Sequence, residues 1–419
     1  MNLASYVWDL AGTYEQTLQA TEQSSIMNQV LCLGLLGIGL ASFQGMQEVK
    51  RLFQSRWTWV FTMYLAWCGF SILWSSEPLL GGRRYLALVV VSAGALLLGR
   101  NYYGQLTNPM GTLAKHLVFC GLTSALVVLA LTGPEITWDN IINPKWMPAV
   151  RKSGPFLLYP LIAGIPAALY LYEEEGGQRR LFFLGLMLLA LIVYKGRFQV
   201  VVAFMSGLGY FAALFAKKYW QTILVLMLIV CSGLFAYVML PEVPGAATAA
   251  MREYISRGES LEGMSALTGR VPLWEYIWRD LDGHLVTGVG YGSYWSTERL
   301  MRIYHAVHWF APTAHNGFLE ELAGTGFIGL TLFIMVIISS GWLCMRPNPQ
   351  MTAAGRYLAL MLIVQYFAQN FADSLTQFAL RYPFYLMLVV SATLTGPWTT
   401  KNLKGLWDGA LIDQSRGRR

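Results

Sequence analysis

The run FIGLTLFIMVIISSGW, Phe327–Trp342, carries no charged residue and no proline. About 20 consecutive apolar residues cross a bilayer as one helix, so this run reads as a membrane span. Working outward, similar runs recur along the whole 419-residue chain. The composition is 55% hydrophobic and only 13% charged, where a soluble protein carries about 25% charged residues. The expected fold class is therefore all-α: a polytopic helical membrane protein, one integral membrane domain over 1–419. Hydropathy and length place about eleven spans, or twelve if a further helix lies in the polar first 25 residues. They fall near 26–44, 57–74, 85–99, 113–132, 155–172, 181–194, 198–216, 221–240, 316–344, 354–371 and 382–397. Residues 1–25 are polar and mildly acidic, and no cleavable leader is expected there.

The net charge of +7 is not a nucleic-acid signal in such a chain. It has to be read loop by loop, because short cytoplasmic loops collect Lys and Arg. One alternate set of segments, ending in the C-terminal tail, holds sixteen basic residues, and the opposite short loops hold eight. The richer set is expected inside, which puts the C-terminus in the cytoplasm and the one large loop, 241–314, outside. Within that loop Leu273, Trp274, Ile277, Trp278 and Leu281 share one face of an amphipathic helix, resting on the membrane or on the bundle.

The residues just before Phe327 read AHNGFLEELAGTG, Ala314–Gly326. Ionisable groups at a span mouth usually face the bundle interior or a wet cavity. His315 has the side chain best suited to proton transfer near neutrality, or it is a hydrogen-bonded helix-start residue. Glu320 either fixes helix packing or touches a ligand; with Gly324 and Phe327 it marks a helical stripe. Several basic residues also lie on the side that disfavours them: Arg83, Arg84, Arg197, Arg270 and Arg381. They either snorkel to lipid headgroups or converge on an anion. A guanidinium forks onto phosphate oxygens and stays charged, so convergence points to a lipid-linked diphosphate.

Other patterns carry less. Gly288-Val-Gly-Tyr-Gly292 lacks the strand and long helix of a nucleotide loop and reads as a turn for close backbone approach. His305, His308 and His315 have no carboxylate spacing that supports a metal site. The five cysteines, Cys32, Cys68, Cys120, Cys231 and Cys344, include no C-x-x-C pair and read as small buried hydrophobes.

Taken in order, these pieces resemble the O-antigen ligase and polymerase superfamily. The matching elements are Thr268-Gly-Arg270 with Trp274, Gly288–Gly292, then Ala314-His-Asn316 with Leu319-Glu320, Gly324, Gly326 and Leu330. Trp74-Ser-Ser-Glu-Pro78 with Arg83-Arg84, and the turn residue Arg197, look like earlier elements of the same pattern; Lys195-Gly196 before Arg197 departs from it. The resemblance implies a membrane-embedded glycosyltransferase of the C-type fold, with the large loop periplasmic. It implies transfer of a glycan from an undecaprenyl diphosphate-linked donor in the bacterial inner membrane, with no metal, nucleotide or other cofactor. The acceptor is a lipid A–core sugar for a ligase or another lipid-linked repeat unit for a polymerase. Partners are then the donor, the glycan acceptor and membrane lipids, with no nucleic acid. On this pattern His315 is the candidate general base. Arg197 and Arg270 clamp the diphosphate with Arg83 or Arg84, and Asn316, Glu320, Trp274 and Arg381 support them. A flippase that moves a lipid-linked glycan without consuming it is the alternative from another class.

Overall fold

Apolar runs with backbone groups facing lipid can satisfy their peptide hydrogen bonds only internally, and helices do so. The computed structural model describes residues 26–43, 45–132, 157–194, 197–215, 270–308, 311–346, 348, 351–371, 373–375 and 382–395. Among these the regular structure is helical throughout. The helices are α1 Ile26–Ala41, α2 Met46–Leu52, α3 Arg56–Ser71, α4 Pro78–Leu97, α5 Pro109–Thr132, α6 Leu158–Glu175 and α7 Gln178–Tyr194. They continue as α8 Arg197–Phe215, α9 Arg270–Asp280, α10 Thr297–Val307, α11 Gly317–Met345, α12 Ala353–Gln369 and α13 Tyr382–Leu394. Each expected span except 221–240, which lies outside the described residues, falls on one of these helices. Pro78–Gln105, Pro109–Leu131 and Gly317–Met345 are long and apolar enough to cross a membrane. The protein is an all-α polytopic membrane protein.

Position in the bundle follows from how the apolar surface is distributed. Helix α6 is buried from Leu158 to Leu171 except at Pro160, and α12 and α13 are buried on nearly every face, so they form the centre. Helices α3, α4, α5 and α11 keep large apolar side chains exposed, such as Trp59, Leu86, Phe119 and Ile338, as lipid-facing helices do. Polar side chains tie the centre together: Gln365 donates to the Ile162 carbonyl at 3.0 Å and to Ser206 Oγ at 2.7 Å.

Helix direction sorts the termini. At one end, Glu175 of α6 meets Lys115 of α5 at 3.0 Å, and Tyr210 of α8 donates to Glu173 at 2.7 Å. At the other end, here the mouth, lie the starts of α4, α6, α8 and α11 and the end of α12. Two contacts fix this end: Ser293 Oγ donates to the Glu77 carbonyl at 3.3 Å, and Gly317 N donates to the Asn370 carbonyl at 2.7 Å.

A second apolar cluster caps the mouth. It joins Leu273, Ile277 and Leu281 to Leu300 and Ile303 of α10, Tyr294 and Trp295 of the intervening loop, and Leu322 and Ala323 of α11. The expected amphipathic helix is thus α9, and its stripe packs on the bundle. Trp278 stays about half exposed at 51%.

Close helix contact needs small residues where backbones meet. A Cβ on Gly121 of α5 would stand 2.6 Å from Met187 Sδ and 3.1 Å from the Pro160 carbonyl oxygen. Gly185 of α7 has open space in the same sense. Gly121→Leu is expected to lose about 1–3 kcal/mol through overpacking, read as a lowered melting temperature in detergent. Gly185→Leu should leave it unchanged, and equal effects of the two would remove this account of the α5–α6 contact.

Candidate functional site

Helix α11 is broken near its start. Gly326 has φ 68°, ψ −171°, so the ladder of helical hydrogen bonds stops there. The stripe Glu320–Gly324–Phe327 read from sequence ends at this residue. The freed backbone groups are taken up by the loop after α9. Val289 N donates to the Ala323 carbonyl at 3.1 Å, Gly290 N to Gly324 at 2.9 Å, and Phe327 N to Leu285 at 2.8 Å. Gly288 and Gly326 meet backbone to backbone: a Cβ on Gly288 would lie 2.5 Å from the Gly324 carbonyl carbon, and Gly288 also has φ 68°. Only glycine fits such contacts at positive φ. The Gly288–Gly292 turn is therefore docked on a helix backbone, and it is pinned from the other side by α3 and α4. Trp67 Nε1 donates to the Thr325 carbonyl at 2.9 Å, and Trp74 Nε1 to Gly288 at 3.2 Å. Ser71 Oγ accepts from Tyr291 N at 2.9 Å, and Arg84 donates to the Gly292 carbonyl.

The sequence before the break builds the mouth itself. Asn316 caps α11, its side-chain oxygen accepting from Phe318 N at 3.0 Å and Leu319 N at 3.1 Å. His315 precedes it with φ 48°, a left-handed conformation seldom adopted by a residue with a Cβ, and it is half-buried. One turn into the helix, Glu320 is fully buried and accepts three hydrogen bonds. They come from Trp295 Nε1, from Ala314 N at 2.8 Å and from Ser374 Oγ at 2.9 Å. Arg84 lies within electrostatic reach of the same carboxyl. The adjacent Glu321 faces the other way, toward Tyr64 of α3, whose hydroxyl donates to it at 3.1 Å.

Helix α9 closes the other side. Trp274 Nε1 donates to the Ala314 carbonyl at 2.7 Å, next to His315. One turn earlier, Arg270 is half-buried. Burial pushes its pKa down, and the Asp373 carboxylate opposite offsets part of that effect. Arginine keeps its charge through such a change. Asp373 is held by the Tyr159 hydroxyl and accepts from Ser374 N at 2.8 Å. Helix α9 is thus tied to the turn at His315 through Trp274–Ala314, and Asp373, within electrostatic reach of Arg270, is followed by Ser374, which donates to Glu320.

The structure therefore brings Arg84, Arg270, Trp274, His315, Asn316 and Glu320 to one mouth. Arg83 sits beside Arg84 and is exposed. Arg197 opens α8, whose backbone starts at the same end of the bundle; its side chain lies outside the described residues, as does all of Arg381. Three site residues were not singled out from sequence: Trp295, Asp373 and Ser374. Asp373 had a signal, being the only acidic residue between Glu321 and Asp408, set between two apolar spans.

Residues 182–334 match the O-antigen ligase family. The match spans the mouth from Arg197 through Glu320 and stops within α11. It supports the resemblance to the O-antigen ligase and polymerase superfamily. The chain is also 35% identical over 81 residues to the exopolysaccharide production protein ExoQ of Rhizobium meliloti (strain 1021). That alignment covers 18% of this chain and 19% of the relative, so the chain spans about a fifth of the relative's length.

The three donors on Glu320 make a direct test. A buried donor left unsatisfied costs about 1–3 kcal/mol, so Glu320→Ala is expected to loosen the mouth. Amide exchange should rise at Ala314 and across Gly292–Ser296 while the α5–α6 core stays protected. Unchanged exchange at Ala314 would show that Glu320 does not hold the turn.

Proposed function

We propose that this protein transfers a glycan from an undecaprenyl diphosphate-linked donor to an acceptor sugar hydroxyl, in the manner of an O-antigen ligase. The observation that carries the reading is the placement of Arg270 and His315 at one mouth of a membrane bundle, within the span that matches the family. In this reading the mouth faces the periplasm, the C-terminus is cytoplasmic, and 241–314 is the large periplasmic loop of a single integral domain in the inner membrane.

The chemistry is a single displacement. The acceptor oxygen attacks the anomeric carbon from the face opposite the diphosphate. A new carbon–oxygen bond forms as the bond from the anomeric carbon to the phosphate oxygen breaks, and its electron pair leaves with undecaprenyl diphosphate. The configuration inverts. The hydroxyl proton passes to the His315 imidazole, a general-base contribution of about 10²–10⁴-fold in rate. Arg270, with Arg197, neutralises charge on the leaving diphosphate; loss of one such group typically costs about 10²–10³-fold. Arg83 lies at the rim, and Arg84 fixes the Gly292 loop that borders the site. Asn316, Glu320 and Trp274 position His315 through the backbone around it. Asp373 lies within electrostatic reach of Arg270 and offsets part of the cost of burying its charge. The donor carries its own activation, so the reading requires no nucleotide, metal or other cofactor.

A second reading, polymerisation of lipid-linked repeat units, is favoured by the similarity to a protein described by exopolysaccharide production. Both readings share the donor chemistry and differ in the acceptor.

Purified protein in nanodiscs, given undecaprenyl diphosphate-linked glycan in chelator, tests them. Glycan on added lipid A–core supports the ligase, and longer lipid-linked chains without core support the polymerase. Absence of released undecaprenyl diphosphate with either acceptor counts against both and favours a flippase. His315→Ala is expected to lower turnover by about 10²–10⁴-fold. Arg270→Lys should also be impaired, because it keeps the charge but loses the fork. Full activity in properly inserted Arg270→Lys and Arg270→Ala proteins would sink the assignment of Arg270.

A further inference from the structure

The loop that docks on the broken helix carries a side chain out of place in an aqueous loop. Val286 is 61% exposed, and Leu285 beside it is partly exposed. The backbone beneath them is fully engaged at its carbonyls. Those of His284, Leu285, Val286 and Gly288 accept from Gly288 N at 2.7 Å, Phe327 N at 2.8 Å, Ile328 N at 3.3 Å and Trp74 Nε1 at 3.2 Å. Non-helical backbone is tolerated at membrane depth only where protein or water takes up its polar groups. Here helix α11 and Trp74 do so.

Two neighbouring helices give the depth of this loop. On α11 the exposed side chains recur as Ile328, Thr331, Met335, Ile338 and Trp342, one stripe at helical spacing down a helix long and apolar enough to cross a membrane. At its far end Arg346 lies 5.9 Å from the centre of the Trp342 ring, and indole rings and basic side chains gather at a membrane–water boundary. From Trp342 to Ile328 the helix rises about 21 Å, whereas the hydrocarbon of a bilayer is about 30 Å thick. Ile328 therefore lies about 9 Å inside the hydrocarbon boundary at the mouth, and tilt of the helix puts it deeper. Val286 is hydrogen-bonded to Ile328 and shares its level. Helix α3, which runs toward the mouth, agrees. Its Trp67 donates to the Thr325 carbonyl, close to that level. Phe70 and Leu73, further toward the mouth, still expose apolar side chains, at 56% and 77%. Lipid thus extends past the level of the loop.

We infer that Leu285 and Val286 form a re-entrant contact with the bilayer. Val286 inserts among the acyl chains of the leaflet at the mouth, beside the exposed Phe327 and Ile328, and anchors the cap in the membrane as well as on the bundle. The partner is hydrocarbon, because the patch continues the lipid-facing stripe of α11 without a polar break. The exposed polar run Asp282-Gly-His284 precedes it and marks where the loop enters from the headgroup side. Gly288, Val289 and Gly290 after it are buried, so the loop turns back into the protein at once. The contact is independent of the reaction proposed above. It has a consequence for the mouth: acyl chains shield the Leu285–Phe327 and Val286–Ile328 hydrogen bonds from water, and such bonds are stronger in a low dielectric. A charge at position 286 would draw water to them.

The test uses full-length protein, its five cysteines replaced by alanine, in phosphatidylcholine nanodiscs. A nitroxide is attached at Val286→Cys, and in separate proteins at Ile338→Cys on the α11 stripe and at Glu298→Cys, whose side chain is exposed on the cap. Collision with oxygen, which concentrates in hydrocarbon, is compared with collision with a water-soluble nickel chelate. The oxygen-to-nickel ratio at 286 is expected to be at least fivefold above that at 298 and to approach that at 338. A ratio at 286 equal to that at 298 would put the side chain in water and overturn the inference. Weak collision with both reagents would mean that protein covers Val286, and would overturn it too. Amide exchange supplies a readout without the label. Val286→Asp is expected to raise exchange at Phe327 and Ile328 at least tenfold in nanodiscs, while Val286→Leu changes it less than twofold. Val286→Asp without effect would overturn the contact, since a side chain in water tolerates the charge.

Discussion

Peptide groups released inside a membrane must find partners within the protein, because an unsatisfied one costs several kcal/mol in hydrocarbon. The break at Gly326 creates that demand, and the loop from Leu285 to Gly290 meets it with its own backbone. Everything at the mouth depends on this exchange. It fixes the loop after α9 against a membrane helix, and so places α9 and α10 as a cap over that end of the bundle. It also explains the glycines: a side chain on Gly288 or Gly326 would push two backbones apart where they must pair.

Once the loop is docked, the polar groups divide into those that build and those left facing the site. Glu320 is occupied by Trp295, Ala314 and Ser374, and Arg84 by Gly292. Asn316 is occupied by the first turn of α11. These side chains hold the turn in which His315 adopts its left-handed backbone. Such conformations persist only where surrounding contacts over-determine them, and they gather at functional sites. The same contacts set the approach of α9, because Trp274 reaches the Ala314 carbonyl that Glu320 helps to orient. Arg270 then comes within electrostatic reach of Asp373, whose neighbour Ser374 donates to Glu320. The buried carboxyl of Glu320 is the point where three sequence-distant segments agree on one geometry.

The spans were legible because hydropathy is a local property that burial in lipid converts directly into helix. The face of α9 was legible for a similar reason: Leu273, Ile277 and Leu281 recur at helical spacing, and they are the residues that pack. His315, Asn316 and Arg270 stood out through charge or polarity next to apolar runs. The break in α11 did not. Ala323-Gly-Thr-Gly-Phe-Ile-Gly329 has the small and apolar residues of a packed membrane helix, and what stops the helix is a loop some forty residues earlier. The duties of Glu320 were illegible for the same reason, since Trp295 and Ser374 lie far from it in sequence. Asp373 was visible as an isolated acid, but its meaning depends on facing Arg270.

Why the ionisable residues sit at a membrane lip follows from these constraints together. In the proposed transfer, the lipid-linked donor has its reactive bond fixed near the depth where its chain ends and its phosphates begin. Groups that act on that bond must stand at the same depth, and flexible arginines and histidines in a loop would not hold it. A helix broken about three turns past its cap resolves the conflict. The lower part remains an apolar span, while the upper turns are free to bend out, carry a capped polar turn and be braced by buried side chains. The broken helix thus lets one element serve both the membrane and the water-facing site.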